Sequence, residues 1–259
     1  MWPFKKKEKA NEPLGVSANT VLCIPGLWRD TDEIKKLIYG SSKGEWVVAG
    51  DIILNIRAKR QYKFEVSGRD DKMAGSFSHA GKETGITEDF LKRIEQHRFV
   101  VYISGKMGTM EDAWQIALAG AQLLKAGGFG IKVDSAGKAF EKNKWLNFLK
   151  AYDEVELFEM FVSNTATDKN GSAFSCGMHN LGLRDAIVSG LDFQNAVDLI
   201  FMFGFYQVFD KPVISDGQIF QADAQSPQYL ITDEPEQPYK DDFLLGNPFG
   251  MWNLATLDK

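Results

Sequence analysis

Cysteine and histidine are both scarce. Two cysteines, Cys23 and Cys176, and three histidines, His79, His97 and His179, are all that 259 residues supply. The cysteines fit no zinc-ligand spacing and two thiols make no disulfide framework, which points to a reducing, cytoplasmic setting. No histidine has a second histidine at helical spacing, so neither a metal site nor a cofactor is expected. Cationic charge is also short: 30 Lys and Arg face 35 Asp and Glu, a net charge of −5. A dedicated nucleic-acid binder needs a positive face, so that class is disfavoured, whereas a basic protein partner suits the charge. Long apolar runs are missing too. The longest, Leu199 to Phe209, is bracketed by Asp198 and Asp210 and falls far short of the ~20 residues a membrane span needs. It reads as a buried helix, and no stable membrane insertion is expected. The start of the chain, Met1-Trp2-Pro3-Phe4 followed by Lys5, Lys6 and Lys7, lacks the apolar stretch of a signal peptide. Residues 1–16 read as a flexible basic segment whose aromatics and lysines allow weak contact with an anionic membrane surface.

What the chain does have is bulk for a core. Its 19 Phe and 6 Trp predict an interior rich in large side chains, and the length is enough to bury it without disulfides or metals. A strand is expected at Thr20–Ile24, broken by Pro25-Gly26. Asp30 then caps a helix that runs to Tyr39, with Glu33 completing a capping box. Strand-like runs follow at Trp46–Ile56 and Tyr62–Val66, then a polar, glycine-rich loop or lid at Ser67–Gly85. A helix from Thr87 to about His97 leads into Phe99–Ile103, an apolar run expected as a central strand. Glu111–Lys125 reads as a helix whose Ala113, Ala117, Gly120 and Ala121 permit close approach to a sheet. Phe129–Val133 is a strand and Lys142–Tyr152 a short helix. The second half is expected to open with a strand at Val155–Val162, a turn at Asp168–Gly171 and a return strand at Ala173–Gly177. Phe193–Val208, apolar nearly all round, reads as a buried helix, followed by strand pieces at Gln218–Gln221 and Tyr229–Thr232. Helices alternate with strands early and hairpins dominate later. The pattern predicts an α+β (mixed α/β) fold with a mixed β-sheet flanked by helices and antiparallel hairpins in the second half. Residues 17–232 read as a single domain with possible halves 17–152 and 153–232, and residues 233–259 as a C-terminal surface tail.

Three stretches together resemble the DUF4261 family of bacterial proteins. They are Leu22-Cys23-Ile24-Pro25-Gly26-Leu27-Trp28; the strand Phe99-Val100-Val101-Tyr102-Ile103 with the small-residue helix ending in Ala126-Gly127-Gly128-Phe129-Gly130-Ile131; and Cys176-Gly177-Met178-His179-Asn180-Leu181-Gly182-Leu183-Arg184-Asp185. The third is the most specific, matching a Gly-Met-x-x-Leu-Gly-Leu-Pro run followed by an acidic residue, with Arg184 where the family has proline. The resemblance implies a fold but carries no catalytic residues. It also implies a setting, since some relatives of this kind sit beside toxins as immunity proteins.

Candidate chemistry is thin. Cys176, His179 and Asn180 are residue types that build nucleophilic sites, but three within five positions around glycines point in different directions, so no catalytic set is assigned. Ser104-Gly105-Lys106-Met107-Gly108-Thr109 lies between a strand and a helix, the context of anion binding at helix N-terminal amides, yet lacks the Gly-Lys-Ser/Thr ending of a phosphate loop. The ligand candidates are therefore Ser104, Gly105, Lys106, Thr109, His179 and Asn180. The aromatics of the tail, Tyr239, Phe243, Phe249 and Trp252, are candidate anchors for a protein partner. The leading expectation is a non-enzymatic immunity protein that binds and occludes a cognate secreted toxin or effector, of type VI kind. The alternatives are an enzyme or sensor of a small anionic ligand at the 104–109 loop, and an oligomeric scaffold.

Overall fold

The computed structural model describes residues 18–168 and 171–257; the basic segment expected at 1–16 lies outside them. The first strand, β1 (Ala18–Gly26), is followed by α1 (Thr31–Ser41), β2 (Trp46–Ala49), β3 (Ile52–Asn55) and β4 (Arg60–Gly68). Next come α2 (Met73–Ala80), α3 (Glu88–Ile94), β5 (Phe99–Met107), α4 (Met110–Lys125), β6 (Gly130–Val133), β7 (Lys138–Glu141) and α5 (Lys142–Phe148). The seven strands form one antiparallel sheet in the order β2-β3-β4-β5-β1-β6-β7. Side chains alternate across it. Leu22 and Ile24 of β1 with Val101 and Ile103 of β5 face α1, α4 and α5, while Cys23 and Val100 face α2 and α3. Gly120 is the reason α4 can lie so close: a β-carbon there would come within 2.8 Å of Ile131 and 3.0 Å of Leu22.

The second half contains α6 (Glu154–Phe161), β8 (Ser163–Thr167), β9 (Ala173–Cys176), a 3-10 turn at Met178–Leu181, β10 (Asp185–Val188) and α7 (Phe193–Phe209). The chain then runs through β11 (Ile219–Phe220), β12 (Tyr229–Asp233) and β13 (Met251–Thr256). A six-stranded sheet results, in the order β11-β12-β13-β10-β9-β8, and β10 with β13 is its one parallel pair. The inner face of α7 covers one side of it through Leu199, Ile200 and Phe203. The α+β class with antiparallel hairpins is as the alternation predicts.

Several elements differ from the sequence reading. Trp46–Ile56 is a hairpin: Ala49 pairs with Ile52 across a Gly50-Asp51 turn, and Gly50 holds a φ of 63°. The 67–85 loop contains α2, whose Met73, Phe77 and Ala80 recur at helical spacing and are buried among polar neighbours. Val155–Val162 is helix α6. The alternation Glu154-Val155-Glu156-Leu157 imitates a strand, but Asp153 accepts a 2.8 Å hydrogen bond from the Val155 N–H as an N-cap, and Leu157, Phe158 and Phe161 bury one helical face. Residues 233–259 are not only a surface tail, because β13 lies inside the second sheet between β12 and β10. Helix α7 is not buried all round: Phe193, Phe201, Met202 and Phe209 are exposed.

One side chain ties the two sheets together. Asn180 is fully buried, and its Oδ1 accepts from Thr20 Oγ1 of β1 at 2.5 Å and from Ser135 Oγ at 2.7 Å. Its Nδ2 donates to the Phe161 carbonyl at the end of α6 at 3.1 Å and to the Gly177 carbonyl at 2.9 Å. Leaving several such groups buried without partners costs ~1–3 kcal/mol each. Asn180→Ala is therefore expected to destabilise the chain by at least ~3 kcal/mol in urea unfolding; a loss below ~1 kcal/mol would show that the hub does not join the sheets energetically.

Candidate functional site

The segment Gly177–Gly182 is shaped by its two glycines. Both are left-handed, at φ 109° and 76°, and β-carbons there would strike the Phe161 carbonyl at 2.2 Å and the Gly108 carbonyl at 2.1 Å. The 3-10 turn between them sends its side chains apart, as the crowding in sequence predicts. Met178 and Leu181 enter the large core, Asn180 makes the hub described above, and His179 faces a cavity under residues 237–248. Cys176 is buried, and burial, followed by the nearby Asp185 and Asp242 carboxylates, pushes its thiol well up, so the thiolate needed for nucleophilic attack is disfavoured. No hydrogen bond joins Cys176, His179 and Asn180 to one another among the described residues; Asn180 is committed to structure.

Beneath the turn lies a buried carboxyl. Asp185 accepts from Ser175 Oγ at 3.0 Å, from the Met178 N–H at 3.2 Å and from Asn247 Nδ2 at 2.6 Å. Burial nevertheless raises its pKa to about 7, because desolvation outweighs those donors. Asn247 also donates to the Leu183 carbonyl at 3.0 Å and so fastens the 237–248 segment to the turn. Arg184 lies 3.6 Å over the Trp252 ring and bonds the Met251 carbonyl and the Asp233 carboxylate. The cation thereby clamps β13 from outside the sheet.

The ring of His179 is almost fully buried, and neither nitrogen has a hydrogen-bond partner of good geometry. Burial lowers its pKa to about 4, an effect that the nearby Leu244 backbone offsets only in part. The imidazole is neutral at physiological pH and presents one donor and one acceptor.

The 104–109 stretch is not a loop. Ser104, Gly105 and Lys106 belong to β5, where Gly105 pairs with Thr20 and Ser104 with both Val21 and Lys63, so their backbone is spent on the sheet. Thr109 caps α4, accepting from the Asp112 N–H at 3.1 Å and donating to the Asp112 carboxylate at 2.7 Å. The expected cradle of free amides is thus replaced by a strand and a capped helix. Side chains of Ser104 and Lys106 instead line a groove of about 560 Å³ on the side of the first sheet away from α4. The remaining histidines are structural or peripheral: His97 accepts from the Asp70 N–H at 3.0 Å and bonds the Ile94 carbonyl at 2.6 Å, and His79 is exposed. Among the described residues no group of three or more His, Cys, Asp or Glu side chains could hold a metal ion.

The four tail aromatics are placed very differently. Trp252 is buried in β13 and cannot meet a partner without loss of structure, and Phe249 is half-buried against the large core. Tyr239 is partly exposed and packs edge-on to Phe174, and Phe243 is 76% exposed. A larger apolar surface escaped the sequence reading. Phe201, Phe205 and Phe209 recur at every fourth position along α7 and pack ring against ring, with Phe205 and Phe209 stacked at 4.2 Å. Beside them a groove of about 560 Å³ is floored by Phe220 and flanked by Met202 and Ile219. The signal lay in the helix itself, which is apolar on both faces although the second sheet can cover only one.

Among the described residues no helix is long and apolar enough to cross a membrane. Comparison with known protein families, with curated proteins and with solved structures returned no match for this chain.

The buried acid and base under the turn oppose one another in pH. Asp185, whose folded pKa of about 7 exceeds its unfolded value of 3.8, contributes stability at low pH that is lost as pH rises through about 7. His179, lowered from 6.5 to about 4, disfavours the folded state in acid, and stability from it grows across that window. His179→Gln is expected to make stability decline more steeply from acid to neutral pH, and Asp185→Asn to make it rise, relative to the parent chain in urea titrations. Identical slopes in the two variants would contradict this assignment.

Proposed function

We propose that this chain is a non-enzymatic protein-binding protein, a cytoplasmic immunity protein that occludes a secreted antibacterial toxin through the outer face of α7. The observation that carries the reading is the aromatic ridge of exposed Phe201 and Phe209 with half-buried Phe205 between them, beside its apolar groove. Monomeric proteins rarely expose a contiguous apolar patch of this kind unless something covers it. Aromatic side chains held rigid by their neighbours are good anchors, because little side-chain entropy is lost when they are buried. The rim supports a basic partner: Asp198 and Asp210 are exposed at the ridge, while the nearby cation Lys211 is paired with Glu154 at 2.7 Å. That arrangement agrees with the net charge of −5 and opposes self-pairing, which would bring like charges together. The assignment of the partner as a toxin rests on the resemblance to the DUF4261 family.

The test is co-expression with the product of the adjacent gene, followed by a binding titration. Phe201→Asp or Phe209→Asp is expected to weaken the complex by about thirtyfold or more, the loss of a ~2 kcal/mol hot spot, with unfolding midpoints near that of the parent. Native affinity in both variants would remove the α7 face from the interface. No complex and no rescue from toxicity would remove the immunity reading. A homodimer that dissociates on Phe209→Asp would instead favour the oligomeric scaffold.

A further inference from the structure

Away from α7, two grooves meet on the side of the first sheet that also carries α2 and α3. One, of about 560 Å³, is lined by Lys63, Glu65, Tyr102, Ser104 and Lys106; the other, of about 350 Å³, by His179, Lys240, Asp242 and Asn247. Both are lined by Asn19 and Phe243, so they form one depression, and neither shares a residue with the α7 groove. Its floor is rigid. Asn19, Val21 and Ser104 sit on paired central strands, with Asn19 opposite Lys106 and Val21 opposite Ser104. Its far wall is a tight turn: the Gly246 N–H donates to the Asp242 carbonyl at 3.0 Å, and the Asp242 carboxylate accepts from the Leu244 and Leu245 N–H groups at 2.8 and 2.9 Å. A β-carbon on Gly246 would meet carbonyl oxygens of Tyr239 and Asp242 at 2.7 Å, so that turn has no room to change.

We propose that this depression binds a small phosphate ester, its phosphate between Lys106 and Lys240 and a polar group of its organic part on the imidazole of His179. Three observations converge on it. Burying a polar ring without well-formed hydrogen bonds costs free energy, so a nearly buried His179 that lines a cavity, with no hydrogen bond of good geometry on either nitrogen, is matched by a ligand that supplies one. Lys106 and Lys240 make no ion pair among the described residues; Lys240 bonds only the Pro235 carbonyl, at 3.0 Å. Of the other charges in the depression, Lys63 is paired with Glu65 at 2.7 Å, Asp242 accepts from its turn amides, and the Asp51 carboxylate lies on the β2–β3 turn, separated from β5 by β3 and β4; Lys106 and Lys240 are thus the cations outside any ion pair that set the preference for an anion at their end. The exposed ring of Phe243 stands between the two halves, placed to cover the carbon skeleton of a ligand and lose its own contact with water.

The chain has three histidines, so the His179 ring can be followed by nitrogen-resolved NMR with exposed His79 as internal reference. The full chain is titrated with ribose 5-phosphate, glucose 6-phosphate, adenosine monophosphate and inorganic phosphate, with ribose as the uncharged control. At least one phosphate ester is expected to shift His179 in a saturable manner while ribose leaves it unmoved. The double variant Lys106→Met, Lys240→Met, both surface changes, is expected to weaken that binding by about tenfold or more, the loss of ~1.4 kcal/mol. No saturable shift with any ester at millimolar concentration would overturn the proposal. So would a shift that the double variant leaves intact, or one that His79 follows in parallel. A His179 signal that changes on removal of residues 1–16 without added ligand would assign the cavity to the chain's own N-terminal segment and overturn it equally.

Discussion

The carboxamide of Asn180 has two acceptor positions and two N–H donors, and all four are used on groups from separate parts of the chain. Rotation of the amide by half a turn would set its oxygen against the carbonyls of Gly177 and Phe161, acceptor to acceptor, so its orientation is fixed. Through it the last turn of α6, the corner at Ser135 and the strand β1 are held at one point. The glycines on either side act with it: Gly182 lies against the Gly108 backbone and Gly177 against that of Phe161. The way the first sheet meets the second therefore depends on a single buried amide with two glycines beside it. Apolar packing of Met178 and Leu181 in the shared core adds to the joint without fixing its register.

Much of the first half was legible. Asp30 accepts from the Glu33 N–H as its capping box predicts, Thr87, read as the first helical residue, is the N-cap of α3, and the small-residue face of α4 lies against β1 and β6 for the steric reason its spacing implies. What was not legible has local causes. Glutamates at 154 and 156 gave α6 a false period of two. The polar residues around Met73 and Phe77 hid α2, which has no side-chain cap to announce it. Strand β13 could not be found from its own sequence, because its neighbours, β12 and β10, lie far behind it in the chain and the pairing with β10 is parallel. Of the residues singled out for binding, Asn180 and Trp252 proved to be interior and Phe249 half-buried, while His179 faces a cavity formed by a segment about sixty positions later. Composition alone placed α7 in the core; its outer face was visible only once the second sheet showed a single side free to receive it.

Two surfaces with opposite character result. The α7 face is apolar with carboxylates at its edge, and suits a polypeptide that brings its own apolar anchors and positive charge. The depression at Asn19 and Phe243 is polar, contains two unpaired lysines and a neutral imidazole, and suits a small anion. They are built from different elements, so occupation of one does not sterically exclude the other. They share the support of β9 and β10, which carry α7 on one side and, through Phe174 packed on Tyr239 and Asp185 bonded to Asn247, the wall of the depression on the other.

The position of β13 has a consequence for how the chain reaches this state. Strands β12 and β10 are joined only through it, so a nascent chain that has emerged as far as residue 245 holds both with unsatisfied backbone along an inner edge. During synthesis those edges are templates for pairing with other chains. Closure of the second half must wait for the ribosome to release residues 251–256, and until then Trp252 has no place under Arg184. Truncation at that end would act less as the loss of an appendage than as the removal of a keystone, converting one continuous sheet into two adhesive fragments.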